Sequence, residues 1–188
     1  VPDWSKIYQI AKKYKLKVIE DSADTIGYTF NNKNFGKYSD ITTNSLYASH
    51  IITGAGFGGI VCFNDKKLYE RAKLLRGWGR SSAIFNESEG INLRFSKKVD
   101  GIPYDGKYIF SDMGYNFLPS EISAAFALEQ FKKLKKNISI RELNFKKLYK
   151  FFEQFNNYFE LPDQNKKLRT GWLAFPLLVK NTSKIERR

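Results

Sequence analysis

Three short apolar runs set among amphipathic helix patterns constrain the fold of this chain most strongly. Ile7, Ile10, Ala11 and Tyr14 recur at i, i+3, i+4 and i+7, which predicts a helix over 3–15 with one buried face. Asp3, after Pro2, is placed to cap it. Leu16-Lys17-Val18-Ile19-Glu20 reads as a strand ending at Asp21, and Ile41 to Tyr47 as a second strand rich in β-branched residues. Gly59-Ile60-Val61-Cys62-Phe63 is a third, and Asp65 then caps a helix over 66–76, with Leu68, Ala72 and Leu75 inward and Gly77 at its end. Strands that are apolar nearly throughout belong to sheets covered on both faces. The pattern predicts an α/β domain with a mostly parallel sheet covered by helices.

The remaining segments fill in the organisation. Tyr28-Thr29-Phe30 and Asn34-Phe35, joined through Asn31-Asn32-Lys33, predict a small surface hairpin. Residues 80–110, with Gly90, Gly101, Pro103 and Gly106, read as one long loop, a length that is usually functional or mobile. Pro119-Ser120-Glu121 opens a helix carrying Ile122, Ala125, Phe126, Leu128 and Leu134, with Ser120 as a candidate N-cap. A second amphipathic helix over about 139–155 follows an expected break at Asn137, and Gly171 to Val179 reads as a strand whose Pro176 suits an edge. A domain boundary is placed at 136, giving a first domain over 1–136 and the start of a second, smaller α+β domain over 137–188. The chain opens on Val1-Pro2-Asp3, without Met or a signal-peptide core, and Glu186-Arg187-Arg188 follow a strand-like run without a closing element. It is expected to be a fragment lacking at least an N-terminal part.

Composition removes several function classes. With 42 % hydrophobic and 16 % aromatic residues the chain is no disordered polyelectrolyte, despite 32 basic against 19 acidic residues and a net charge of +13. The lysines are spread through nearly every segment rather than gathered in one stripe, so nucleic acid is not the expected partner. No apolar run reaches the roughly 20 residues of a membrane helix. The single Cys62 leaves no internal disulfide framework, multi-cysteine zinc site or iron–sulfur cluster held by this chain, and the single His50 excludes a mechanism built on two of its histidines.

Three clusters fall at predicted element ends. Glu20-Asp21-Ser22-Ala23-Asp24 follows the first strand, where side chains of an α/β sheet face the ligand crevice. Asp21 there either pairs with a cationic cofactor nitrogen or simply caps a turn. Ser45 to Gly59 runs from a strand into a hydroxyl- and glycine-rich loop with His50 at its start. Such glycines let backbone amides approach a phosphate, or serve as ordinary turns, and His50 is either a base or a structural residue. Gly114-Tyr115-Asn116-Phe117-Leu118-Pro119-Ser120-Glu121 leads into the long helix, with Asn116 free for a ligand or the whole segment acting as a cap.

Taken in order, these segments resemble the DegT/StrS-type family of pyridoxal-phosphate enzymes acting on nucleotide-linked keto-sugars. Its members read "EDxAxxxG", "SFxxxK" followed by a Gly-rich stretch, and "GYNxxxxExxAA". This chain reads Glu20 to Gly27, Ser45 to His50, and Gly114 to Ala125, and Trp172 with Phe175-Pro176 is similar to the family's small-domain strand. The resemblance implies the aspartate-aminotransferase-like fold, pyridoxal 5′-phosphate or pyridoxamine 5′-phosphate as cofactor, a homodimer, and a cytoplasmic place. It also implies Asp21 at the pyridine nitrogen, Asp24 among the cofactor-binding residues, Ser45 at the phosphate, and Asn116 at the phosphate of the partner subunit.

One departure changes the implied chemistry. Where the aminotransferases carry the lysine that links to the cofactor, this chain has His50. Together with Asp24, Tyr47-Ala48-Ser49-His50-Ile51-Ile52-Thr53 and Arg76-Gly77-Trp78-Gly79-Arg80, this is similar to the 3-dehydratase subgroup, which makes 3-deoxysugars. Histidine cannot form the lysine's linkage but moves protons near neutral pH, so His50 is the expected catalytic residue. The substrate implied is a nucleotide-linked 4-keto-6-deoxyhexose of deoxysugar and O-antigen polysaccharide biosynthesis, with glutamate as amino donor. Residues 81–112 contain no cysteine, so the iron–sulfur cluster of one dehydratase branch is not expected. A sugar aminotransferase and a non-catalytic sugar-nucleotide-binding relative are the competing readings.

Overall fold

The computed structural model describes residues 1–84 and 90–181. Residues 85–89 of the expected long loop, and the closing Glu186-Arg187-Arg188, lie outside the described residues. The chain forms two compact units, one from 1–62 with 121–188 and one from 63–120.

In the first unit, α1 (Trp4–Lys13) starts where Asp3 accepts the amide hydrogens of Ser5 and Lys6. The expected strand from Leu16 is shorter: β1 is Ile19–Asp21. A hairpin follows, β2 (Thr29–Phe30) against β3 (Lys33–Asn34), turning through Asn31 and Asn32, both at positive φ, as favoured in two-residue hairpin loops. β4 (Ile41–Ser45) lies parallel to β1, with Ile19 opposite Ile41 and Asp21 opposite Thr43, and β5 (Gly59–Phe63) completes the order β1-β4-β5. Asp40 ties the two parallel strands at their start, accepting from the Lys17 ammonium and the Val18 amide, each at 2.8 Å. These bonds hold its carboxyl below the usual range.

The second unit begins at the end of β5. There α2 (Lys66–Arg76) runs between its Asp65 N-cap and Gly77, as the sequence predicts. Leu68, Ala72 and Leu75 are only half-buried. The expected long loop carries structure of its own: α3 (Ile91–Phe95) and a hairpin of β6 (Lys97–Val99) with β7 (Ile102–Tyr104). Arg94 clamps Asp105 beside it, with Nε 3.0 Å from Oδ1, and holds that carboxyl down at about 2.

The chain returns to the first unit in α4 (Glu121–Phe152), one continuous helix where two helices with a break at Asn137 were expected. Ile138, one residue on, is 9 % exposed and packs with Leu134, Ala127, Ile26, Leu46, Ile51 and Ile52 in the main core. This tertiary packing outweighs the poor helix propensity of one asparagine. The expected strand over 171–179 contracts to β10 (Leu178–Val179), antiparallel to β8 (Phe159–Glu160), while β9 (Leu168–Arg169) joins β2. Leu168 there packs with Trp4, Tyr28 and Phe30 in a second core.

Candidate active site

β1 delivers two acids to opposite faces, because successive strand side chains alternate. Glu20 is 1 % exposed, and its carboxylate accepts from Ser22 Oγ (2.7 Å), the Tyr28 hydroxyl, the Gly36 amide (2.9 Å) and Ser39 Oγ (3.0 Å). Burial, then the hydrogen bond to Glu20 and its charge, push the Tyr28 hydroxyl well above its ordinary range. Asp21 faces out. Its Oδ1 accepts the Ala23 amide at 3.0 Å and Thr43 Oγ1 at 3.4 Å. Among the described residues no cation is bonded to Asp21, so its carboxylate keeps acceptor capacity towards the outside.

Asp21 and Asp24 line one concavity of about 300 Å³, together with Trp4, Ser22, Ala23 and Tyr28. The turn between the two acids is fixed by backbone bonds, Ser22 N–H to the Thr43 carbonyl (2.8 Å) and Thr25 N–H to the Ser22 carbonyl (3.1 Å). Asp24 meets the second cluster directly. Its Oδ1 lies 2.7 Å from His50 Nδ1, at ion-pair distance without an aligned hydrogen bond to the ring N–H.

His50 is held from both sides. Behind it, its amide closes a turn onto the Tyr47 carbonyl at 3.1 Å, and the Tyr47 ring stands edge-on to the imidazole at 6.4 Å. Ahead of it, Ile51 and Ile52 are 6 % and 2 % exposed in the main core, so the loop cannot swing without unburying two isoleucines. Ser45, the last residue of β4, accepts the Tyr47 amide at 3.2 Å and keeps its own hydroxyl proton to donate.

Two amides of the glycine-rich stretch are satisfied within the loop itself. Gly54 N–H donates to the Leu46 carbonyl (2.8 Å), Gly56 N–H to Thr53 Oγ1 (2.9 Å), and Leu46 N–H to the Gly58 carbonyl (3.0 Å). A Cβ on Gly54 would sit 2.4 Å from the Phe57 carbonyl oxygen. The segment makes an internal turn that returns the chain to β5.

The structure thus brings Asp24 to His50 and places Asp21 with Asp24 on one cavity, with Ser45 on the strand that pairs with β1. Asn116 belongs to the second unit, where it is exposed and its backbone bridges Gly77. Sequence reasoning named Glu20, Thr53 and the Ile51-Ile52 pair only as parts of their segments and gave them no role. Strand alternation at β1, which sends one of two adjacent acids inward, is the signal that could have found Glu20.

The family description "DegT/DnrJ/EryC1/StrS aminotransferase family" matches residues 1–188. The chain belongs to that family. It is similar to the lipopolysaccharide biosynthesis protein RfbH of Salmonella typhimurium, 32 % identical over 97 % of this chain and 42 % of that protein. It is also similar to a GDP-perosamine synthase of Caulobacter vibrioides, 29 % identical over 74 % of this chain and 32 % of that protein. Among solved structures, the E. coli GDP-4-keto-6-deoxy-D-mannose-3-dehydratase with bound hydrated PLP matches with a TM-score of 0.77. That pair is 27 % identical, covering 98 % of this chain and 45 % of the other. The aminotransferase-type α/β fold expected from the sequence is borne out. The chain spans less than half the length of these relatives.

Proposed function

We propose that this DegT/StrS-family chain is part of a nucleotide-sugar 3-dehydratase that uses pyridoxal or pyridoxamine phosphate. The observation that carries the reading is His50. It stands where the family resemblance puts the cofactor-linking lysine, at the exit of β4, with Asp24 2.7 Å from its Nδ1. The residues present fit the cofactor. Asp21 offers an outward carboxylate to which no cation among the described residues is bonded, at a concavity that also holds Asp24.

When bound, pyridoxamine phosphate supplies an amine for the sugar's 4-keto group and a ring able to accept electron density. Asp21 would hold a proton on the ring nitrogen by its negative charge. With Nδ1 against Asp24, His50 would have Nε2 left to move a proton at the cofactor end of the site, next to the sugar's C3 hydroxyl that leaves as water. Ser45 would donate to the cofactor phosphate. Asn116 would reach the phosphate of the second protomer in a homodimer. The reading places the enzyme in the cytoplasm, keeps residues 1–136 as part of a cofactor-binding domain with 137–188 opening a smaller one, and takes glutamate as amino donor.

The test is an assay of the full-length protein with cofactor, glutamate and a nucleotide-linked 4-keto-6-deoxyhexose. A sugar that has lost its C3 oxygen, with ammonia and 2-oxoglutarate released, supports the dehydratase. The second reading, an aminotransferase, draws on the similarity to a GDP-perosamine synthase. It requires an amino sugar that keeps its C3 hydroxyl, and no loss of water.

A further inference from the structure

Glu20 sits one residue before Asp21 and on the other face of β1, and nothing in the reading above uses it. We propose that Glu20 is a positioning residue for the cofactor end of the site, acting through Ser22 on the turn that carries Asp21 and Asp24. The inference rests on the role given above to those two aspartates.

The carboxylate gathers four donors from three segments, the turn after β1, the approach to β2 and the connection from β3 to β4. Oε1 takes Ser22 Oγ and the Tyr28 hydroxyl, while Oε2 takes the Gly36 amide and Ser39 Oγ. All four are neutral, so the buried charge is stable only where they converge, and the carboxylate is fixed in place. Ser39 gives its one hydroxyl proton to Glu20, so Thr42 must donate in the 2.9 Å contact between the two hydroxyls. The network therefore reaches β4, and Ser22, Ser39 and Thr42 are all buried with it.

The two serine links do different things. Ser39 joins Glu20 to the segment entering β4. Ser22 joins it to the turn that hands Asp24 to His50, and its backbone already bonds Thr43 and Thr25. Without the Ser22–Glu20 bond the turn keeps its backbone ties but loses the side-chain anchor between its two aspartates. Loss of the Ser39 bond loosens the same carboxylate at its other oxygen, away from that turn.

The experiment uses the full-length protein with Ser22→Ala, Ser39→Ala and Glu20→Gln. Melting temperature and the dissociation constant for pyridoxamine phosphate, read by fluorescence titration, are measured for each. Ser22→Ala deletes the bond to Glu20, whereas Ser39→Ala deletes both its bond to Glu20 and its contact with Thr42, so Ser39→Ala should lower the melting temperature at least as much as Ser22→Ala. Ser22→Ala should weaken cofactor binding about three- to tenfold, the worth of one hydrogen bond, and Ser39→Ala by less than about twofold. Glu20→Gln keeps the shape, but with its oxygen held by the Gly36 amide it turns an NH2 towards Ser22 and Tyr28 and so removes the acceptor to which both hydroxyls donate; it is the variant to read if Ser22→Ala does not fold. It should weaken binding comparably, and the double variant with Ser22→Ala should add nothing further. Equal effects of the two serine changes on cofactor binding, no effect of either, or additivity in the double variant overturns the proposal. Wild-type protein that binds cofactor but does not dehydrate, with Ser22→Ala still weakened, sinks the reaction class and leaves the positioning role. Dehydration with Ser22→Ala binding like Ser39→Ala does the reverse, and wild-type protein that binds no cofactor overturns both.

Discussion

Asp24 Oδ1 lies 2.7 Å from His50 Nδ1, which joins the acid-rich turn after β1 to the loop after β4. The carboxylate is 58 % exposed, whereas the imidazole is 18 % exposed, so the pair is screened from one side only. An exposed ion pair is worth about 1 kcal/mol or less. Asp24→Asn should therefore slow dehydration by no more than about fivefold. A fall of several hundredfold, measured as kcat at saturating substrate, would show that Asp24 has a chemical part of its own.

Much of this arrangement was legible in the sequence, and the failures have definite causes. α2, with its Asp65 cap and Gly77 end, was readable because caps act locally. The hairpin at Asn31-Asn32 was readable for the same reason. The second hairpin was passed over although Asp100-Gly101 is a two-residue turn signal of the same kind, with φ of 51° and 82°. Its charged surroundings hid it. The continuity of α4 was not local information, because it depends on Ile138 meeting Ile26, Leu46 and Ile52 from distant segments. At the site, the residue types of Asp21, Asp24 and His50 were visible. The Asp24–His50 contact needed the parallel pairing of β1 with β4.

Iron gives a direct check on the branch of the family. Cys62 is the only cysteine of this chain and is exposed at β5, and residues 81–112 have none. Elemental analysis of the purified full-length protein should find no stoichiometric iron, and its visible spectrum no iron–sulfur bands. Two irons per protomer would move the protein to the cluster-bearing branch.

Two glycines at nearly the same φ should respond differently to alanine. Gly101 sits at +82° with nothing within 4 Å of an added Cβ, so Gly101→Ala carries only the left-handed backbone penalty, roughly 1–2 kcal/mol. Gly79 sits at +76°, and its added Cβ would fall 1.8 Å from the Asp112 carbonyl oxygen. That backbone is itself bonded to Gly79, whose carbonyl accepts the amides of Ser111 and Asp112. Gly79→Ala must therefore break this crossing and should destabilise by well over about 2 kcal/mol in chemical denaturation. Equal losses for both variants would contradict the geometry.

Asp105 predicts an acid limb for the second unit. Its carboxyl is held at about 2, first by the hydrogen bond from Arg94, against an unfolded value of about 3.9. A depressed carboxyl contributes stability that is present above the unfolded value and is lost as pH falls through the folded one. The loss should therefore fall between about pH 4 and pH 2. Asp105→Asn should flatten the stability curve in that window and leave its slope near neutrality unchanged, as followed by urea denaturation at stepped pH. A slope between pH 4 and 2 identical to that of the parent would remove Asp105 from the acid response.

His50 carries the most consequential prediction. It is the only histidine of the chain, its loop is pinned by Ile51 and Ile52, and its Nδ1 faces Asp24, leaving Nε2 for proton transfer. General-base catalysis is worth roughly 10²–10⁴-fold, far above the contribution expected of Asp24. His50→Asn keeps a polar side chain of related reach but has no group that titrates near neutrality. In the full-length enzyme it should cut dehydration by about that factor and leave the cofactor dissociation constant nearly unchanged. His50→Lys asks a different question, because it puts an amine at the position that the family resemblance gives to the aminotransferases' lysine. It should capture pyridoxal phosphate in a covalent bond that borohydride fixes and mass spectrometry locates at residue 50, with dehydration suppressed. A His50→Asn enzyme that dehydrates at the parental rate would show that another group moves the proton, and the dehydratase reading would lose the residue on which it stands.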